Sequence, residues 1–445
     1  MKTIHLENNS LWKWLDINKS SDENNINALL EAIVKTQHIE PGYLIELIRD
    51  GNHPKNSNIM DNLSQYVPRK YFLEIQYCAA VYASVFGKIF PPFASEIEQL
   101  AYIEWLLYTE PGYTGYRDHL VHMFKVAFCG HRFLSVPTLF QKIVDFQFKS
   151  THFIDWCKEE KIRIDLWKDH EKENVVKIAF LLAALFHDFG YGYFFLSKYK
   201  ERLFSLCQWL LLKADATELN TVATQTLLKS LPAFFIRKNH AWLSKQNKYY
   251  QNADNVIAGF FHDCLPLNHS IASTFFILDL TEKLQKARAL SEELYVAFQL
   301  AAEACMIHDM TGNQNWLHLK TKQNGHFIDC NDHKNIPLAM LLIFSDELSV
   351  WKRPTLKPEI SKNGKNGISY FLDDGSTPEK IEISITERKK KNTIKITPIN
   401  DQKETISKAF EKIKCLKKQD NSDPQLSQLL DYEISVIKND LGQKK

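Results

Sequence analysis

From about Tyr71 to Val350 nearly every segment of the chain sets apolar residues at i, i+3 and i+4, broken only by short polar stretches. That period is the buried stripe of an amphipathic helix, so the middle of the protein is restricted to a helical body. The clearest runs are Glu96–Tyr108, His119–Leu134, Val175–Phe186, Ser270–Leu280, Leu294–Ile307 and Pro337–Val350. Pro337 suits the first turn of its helix, where its missing N–H costs nothing. Before this body, helical periodicity comes in pieces such as Ile26–Val34, and Arg49–Asn62, with Gly51, Pro54 and several Asn, reads as a loop. With 445 residues the chain is long enough for one large domain with appendages, or for two or three domains. An aromatic content of 12% fits long helices with bulky cores. No internal repeat stands out.

The period changes after Trp351. Asn363–Gly367 reads as a linker, and then Ile368, Tyr370 and Leu372 alternate with polar neighbours. Ile381, Ile383 and Ile385 do the same, as do Ile394 and Ile396. Period two with turn signals between the runs predicts a small three-stranded meander. The basic run Arg388–Lys391 falls where its second turn should be, and is read as a solvated turn. A helical tail, Lys403–Leu416, and a polar terminus follow.

The totals exclude some function classes. A net charge of +2, from 55 Lys+Arg against 53 Asp+Glu, gives no global pull toward nucleic acid or anionic membrane. No stretch of 18 apolar residues lacks a charge, so no membrane span is expected. The eight cysteines are scattered singly without a CxxC pair, and no secretory signal opens the sequence. Free thiols and a cytoplasmic location are expected.

The chemistry concentrates at Leu182–Gly190, where an apolar helix ends in adjacent His187 and Asp188. Burying two such polar groups costs several kcal/mol unless they are satisfied. A divalent cation satisfies both, since imidazole nitrogen and carboxylate oxygen together suit Zn, Mn, Fe or Ni. For an isolated pair the plainer reading prevails: the His bonds a last helix carbonyl and the Asp is solvated. This pair is not isolated. His119 and His122 lie three apart upstream, sharing a helix face with Val126. His269 opens an apolar helix with small residues behind it, His308 closes another, and Asp346 sits inside an apolar run.

This series resembles the HD superfamily of metal-dependent phosphohydrolases, whose pattern is His, then His-Asp, then often two further His, then a late Asp. The matching positions are His122, His187, Asp188, His269, His308 and Asp346, and the likeness runs from about Tyr116 to Pro354. It implies a mainly α protein: a helical bundle at 101–355 with an insertion near 198–254, preceded by a helical segment at 1–100. A small β element at 356–400 and a helical, polar tail at 401–445 complete the expected layout. His262-Asp263 competes with His269 for its place, and His269 is preferred because Pro266 breaks the helix after His262. The likeness further implies two divalent cations, Mn, Fe, Co, Zn or Mg. His122, His187, Asp188 and Asp346 would hold the first, His269 and His308 the second, with Asp188 bridging both and orienting the attacking water. Asp118 or Glu347 would orient ligand imidazoles, though for Glu347 an exposed helix position is the plainer reading.

Arg117, Tyr191 and Arg353 are the expected substrate contacts. Arg117 and Lys125 flank the first His and could clamp a phosphate, but each is more often a surface cation; Trp351 could stack a base. Tyr191 stands where the triphosphohydrolase branch has a catalytic His, and tyrosine is a poor general acid near neutrality. The expected activity is therefore that of a phosphodiesterase or nucleotide phosphohydrolase on a nucleotide-like small molecule. The alternatives are a deoxynucleoside triphosphate triphosphohydrolase and a nucleotide-sensing metal-binding protein without turnover. Nucleic acid is a disfavoured partner, and a homo-oligomer is left open.

Overall fold

The computed structural model describes residues 2–7, 10–11, 14, 119–191, 269–286, 290–308, 337–349, 355–360, 368–373, 380–387, 392–399 and 432–436. Seven α-helices and six strands lie among them, and the helices predominate. The chain divides into two compact units, residues 1–136 with 344–445, and residues 137–343.

In the first unit, strand β1 (Lys2–Leu6), helix α1 (Leu120–Leu134), the end of α7 (Pro337–Leu348) and all the remaining strands are found. Every residue of α1 except Arg132 is buried, so this helix has no solvated face. Its carboxyl end is closed by Lys2, whose Nζ donates to the Ser135 carbonyl at 2.6 Å and to Ser135 Oγ at 3.0 Å. A cation at that end complements the helix dipole. Trp14 adds a second tie, its indole N–H donating to His131 Nδ1 at 2.8 Å. Because indole is a donor only, that contact holds His131 with Nδ1 as the acceptor.

The sheet runs β1, β4 (Lys380–Thr386), β5 (Asn392–Ile399), β6 (Tyr432–Val436). The alternation read in the sequence sets one face: Ile381, Ile383 and Ile385 are buried, with Ile394 and Ile396 beside them. Ile4 pairs with Ile383, which pairs with Ile396, so one apolar row crosses three antiparallel strands. The β4–β5 hairpin is as expected, but the third antiparallel strand is β1. The expected first strand of the meander, now β3 (Ile368–Asp373), pairs instead with β2 (Thr355–Ile360). The Gly/Asn linker itself lies outside the described residues. β6 joins β5 in parallel, where the sequence suggested only a polar terminus. The expected helix Lys403–Leu416 lies outside the described residues, as do Ile26–Val34 and Glu96–Tyr108.

The second unit holds α2 (Pro137–Lys149), α3 (Thr151–Glu159), α4 (Asp169–Phe186), α5 (His269–Lys286), α6 (Glu292–His308) and the start of α7. α4 begins six residues before its apolar run. Asp169 and Glu171 occupy its first turn, and Glu171 accepts the Lys168 N–H at 2.6 Å. Everything from Ile178 to Phe186 is then buried. α6 packs against both α4 and α5. At the far end Phe148, Phe153, Trp156, Trp167 and Tyr295 form a chain of ring contacts at 5.4–6.1 Å. Trp167 also donates from Nε1 to Glu292 at 3.2 Å, tying the approach to α4 onto the start of α6.

α3 ends with Lys161 at φ 62°, in the left-handed region, so that the Ile162 N–H can close on the Cys157 carbonyl at 2.8 Å. A side chain there is strained. Lys161→Gly is expected to stabilise the protein by about 0.5–1 kcal/mol, the left-handed penalty less the added chain entropy. Equilibrium denaturation measures this; an unchanged or lowered midpoint would contradict it. Cys129, Cys157 and Cys305 are free and buried, as expected. Among the described residues no helix is long and apolar enough to cross a membrane.

Candidate metal centre

In the second unit α4, α5 and α6 bring His187, Asp188, His269 and His308 together. The apolar run of α4 ends at Phe186, and the chain turns through His187–Phe189. His187 is 0% and Asp188 6% exposed, so the carboxylate is not the solvated one of the plainer reading. The helix-carbonyl bond of that reading is nonetheless present. His187 Nδ1–H donates to the Ala184 carbonyl at 2.8 Å, and His308 Nδ1–H to the Cys305 carbonyl at 2.6 Å.

Those two bonds decide what the rings offer. A carbonyl only accepts, so each Nδ1 carries a proton and the Nε2 edge is the one turned toward the interior. His187 Nε2 faces Asp188 Oδ1 at 3.4 Å, and His269 Nε2 faces the same oxygen at 3.4 Å. His269 Nε2 is also 3.2 Å from His308 Nε2. With Nε2 unprotonated, as a metal ligand requires, lone pairs and an anionic oxygen at such spacing repel unless a cation lies among them. One N–H of His269 cannot point at both Asp188 and His308, whereas a central ion serves all three. The spacing fits such an ion: two donors about 2.0–2.1 Å from one centre at the tetrahedral angle lie about 3.3 Å apart. One donor atom each from Asp188, His269 and His308 falls within 4.8 Å of the others. Two imidazoles and a carboxylate suit a transition ion such as Zn, Mn, Fe or Co better than Mg.

Hydroxyl groups fix these helices to one another. Ser273 Oγ donates to the His187 carbonyl at 2.6 Å and accepts the Gly190 N–H at 2.8 Å. Ser270 Oγ donates to the Met306 carbonyl at 3.3 Å, and Thr274 shares its proton between Ser270 and Ala302 carbonyls. Cys305 lies close by but offers no thiolate. Burial, with the Asp188 carboxylate adding to it, pushes its thiol well above the ordinary range, and Sγ donates to the Ala183 carbonyl at 3.3 Å.

In the first unit His122, on α1, places Nε2 2.6 Å from Asp346 Oδ1 at the end of α7. His122 is 1% exposed and the Asp346 side chain 29%. Taken unit by unit, two of the six expected ligands, His122 and Asp346, lie in the first and four, His187, Asp188, His269 and His308, in the second. Tyr191, expected at the substrate, has its ring stacked on His269 at 4.0 Å and 15°. Lys125, read as a surface cation, is 1% exposed, because α1 is buried on nearly every side. Glu347, read as exposed, is half-buried. Arg117, Asp118, His262, Trp351 and Arg353 lie outside the described residues. Ser273 escaped the sequence reading; its signal was its place four residues after His269, on the same helix face.

Comparisons with family models, with curated proteins and with solved structures return no match for this chain.

Proposed function

We propose that the chain is a metal-dependent phosphohydrolase acting on a phosphate ester or anhydride of a nucleotide-like substrate. The observation that carries this reading is the buried donor set in which His187 and His308 are both locked to present Nε2 beside Asp188. Side chains poised in this way serve a cation, and no Ser, Cys or Lys nucleophile is needed. Asp188, His269 and His308 would hold the cation, with His187 Nε2 facing the same Asp188 oxygen. The order of motifs in the HD resemblance adds His122 and Asp346 as further candidate ligands. When bound, such ions polarise phosphoryl oxygens and activate a water for in-line attack. Asp188 would orient that water. The apolar end of α4 excludes bulk solvent, which strengthens every electrostatic contact inside.

Cleavage of a P–O bond in a cyclic or linear phosphodiester, or loss of a terminal phosphate, is preferred over release of intact triphosphate. The reason is Tyr191, which stands where the triphosphohydrolase branch has a catalytic His and which spends one ring face on His269. The test is a panel of nucleotides with Mn, Fe, Co or Mg, with products resolved by chromatography and phosphorus NMR. A nucleoside or nucleotide product with inorganic phosphate or an opened diester is expected. Nucleoside plus triphosphate would establish the triphosphohydrolase alternative. Tight binding of one member with no hydrolysis of any would establish a sensor.

A further inference from the structure

His269, Ser273 and Phe276 stand at i, i+4 and i+7 of α5, a single stripe of that helix. Each touches the turn that carries the His-Asp pair. The ring of Tyr191 stacks on His269 at 4.0 Å. The Ser273 hydroxyl spans the turn backbone, giving its proton to the His187 carbonyl and taking the Gly190 N–H. Phe276 meets the edge of Phe189 at 4.3 Å and 72°. The two strands of contact run in opposite directions, because the turn reaches α5 with Tyr191 while α5 reaches the turn with Ser273.

We infer that this stripe and the His187–Tyr191 turn form a reciprocal clasp that sets the Asp188–His269 spacing, with Ser273 and Tyr191 as positioning residues for the cation. The inference deepens the metal-dependent reading above and rests on it. Its physical basis is that Asp188 and His269 come from segments 81 positions apart in sequence, so no local geometry fixes their 3.4 Å approach. Ser273 is 0% exposed and satisfies two backbone groups that bracket Asp188. Removing its oxygen frees the turn to move relative to α5. Tyr191 holds the plane of the His269 imidazole, and so the direction of its Nε2 lone pair. Ring planarity is what this task requires, and the phenol oxygen is not.

The experiment measures Co(II) affinity and the visible spectrum of the Co(II)-loaded full chain in four variants. Ser273→Ala and Tyr191→Ala are each expected to weaken Co(II) binding about 10- to 100-fold, the range for groups that orient metal ligands, and to change the spectrum. Tyr191→Phe keeps the stack and should match the wild type. Thr281→Ala is the structural control: Thr281 lies on the same helix, is equally buried, and bonds only the Ile277 carbonyl of its own helix among the described residues. It should lose stability without losing affinity. Wild-type affinity and spectrum in both Ser273→Ala and Tyr191→Ala would overturn the clasp and leave the metal reading standing. An equal loss in Thr281→Ala would reduce the effect to loosening of α5, which also overturns it. If Ser273→Ala does not fold, the Tyr191→Ala and Tyr191→Phe pair decides the matter. A wild-type chain that binds no Co(II) would remove the metal reading and the clasp together.

Discussion

Replacing His187 and Asp188 together with Ala is expected to strip the protein of bound transition metal and to reduce phosphohydrolysis to background. The pair is chosen over either single change for an energetic reason. Asp188 is 6% and His187 0% exposed, and both are read as belonging to one cation site, so removing one alone leaves the other buried with its compensation weakened. Removing both exchanges that cost for a cavity, at about 2–5 kcal/mol for a large-to-small change in a packed interior. Loss of activity through unfolding must be separated from loss of ligands. Asp188→Asn does this, because it keeps the shape of the side chain and removes the charge. It should also lose the metal while the metal-free protein melts no lower than metal-free wild type. Elemental analysis of the purified proteins and thermal melts in chelator are the measurements. An unchanged metal load in the double variant would show the ligand assignment to be wrong.

The helices were legible because their period is long and their apolar faces are strong. α1, α5, α6 and α7 fall within two residues of the expected starts, apart from the extra length at the end of α5. α4 starts early because the polar residues Asp169–Asn174 form its exposed to half-buried first turns, which an apolar period cannot register. α2 and α3 went unread for a related reason: both are short, and they meet at Ser150 without a Gly or Pro to mark the break. The sheet shows a different limit. The Ile alternation of β4 and β5 was plain, but β1 has five residues, and its partner strand lies at the other end of the chain. Nothing local signals such a pairing. The His and Asp ligands were visible as polar residues in apolar runs. What could not be read was the state of each ring, which depends on backbone carbonyls three residues back. Nor could Ser273, whose role lies in a hydroxyl that reaches 86 positions along the sequence.

The second large effect concerns how many ions the chain holds. Asp188, His269 and His308 form a constellation complete in itself within the second unit, whereas His122 and Asp346 pair with each other in the first. If both constellations serve cations, the wild type should carry about two ions per chain. His269→Ala or His308→Ala should then reduce the ratio to about one, and His122→Ala should do so independently. Each step should also be visible in stability, because a ligand that binds only the folded state contributes RT ln(1 + [L]/Kd), about 2.7 kcal/mol at a hundredfold excess over Kd. Chelation should therefore lower the melting temperature of the wild type more than that of any single variant, and leave the His187→Ala, Asp188→Ala protein unmoved. The order of loss carries the mechanism. In-line attack between two ions requires both, so a variant that retains one ion but turns over at background rate would show that the reaction needs the second. A ratio near one in the wild type and in all three histidine variants would instead favour a single ion, and with it a site that positions substrate through side chains alone.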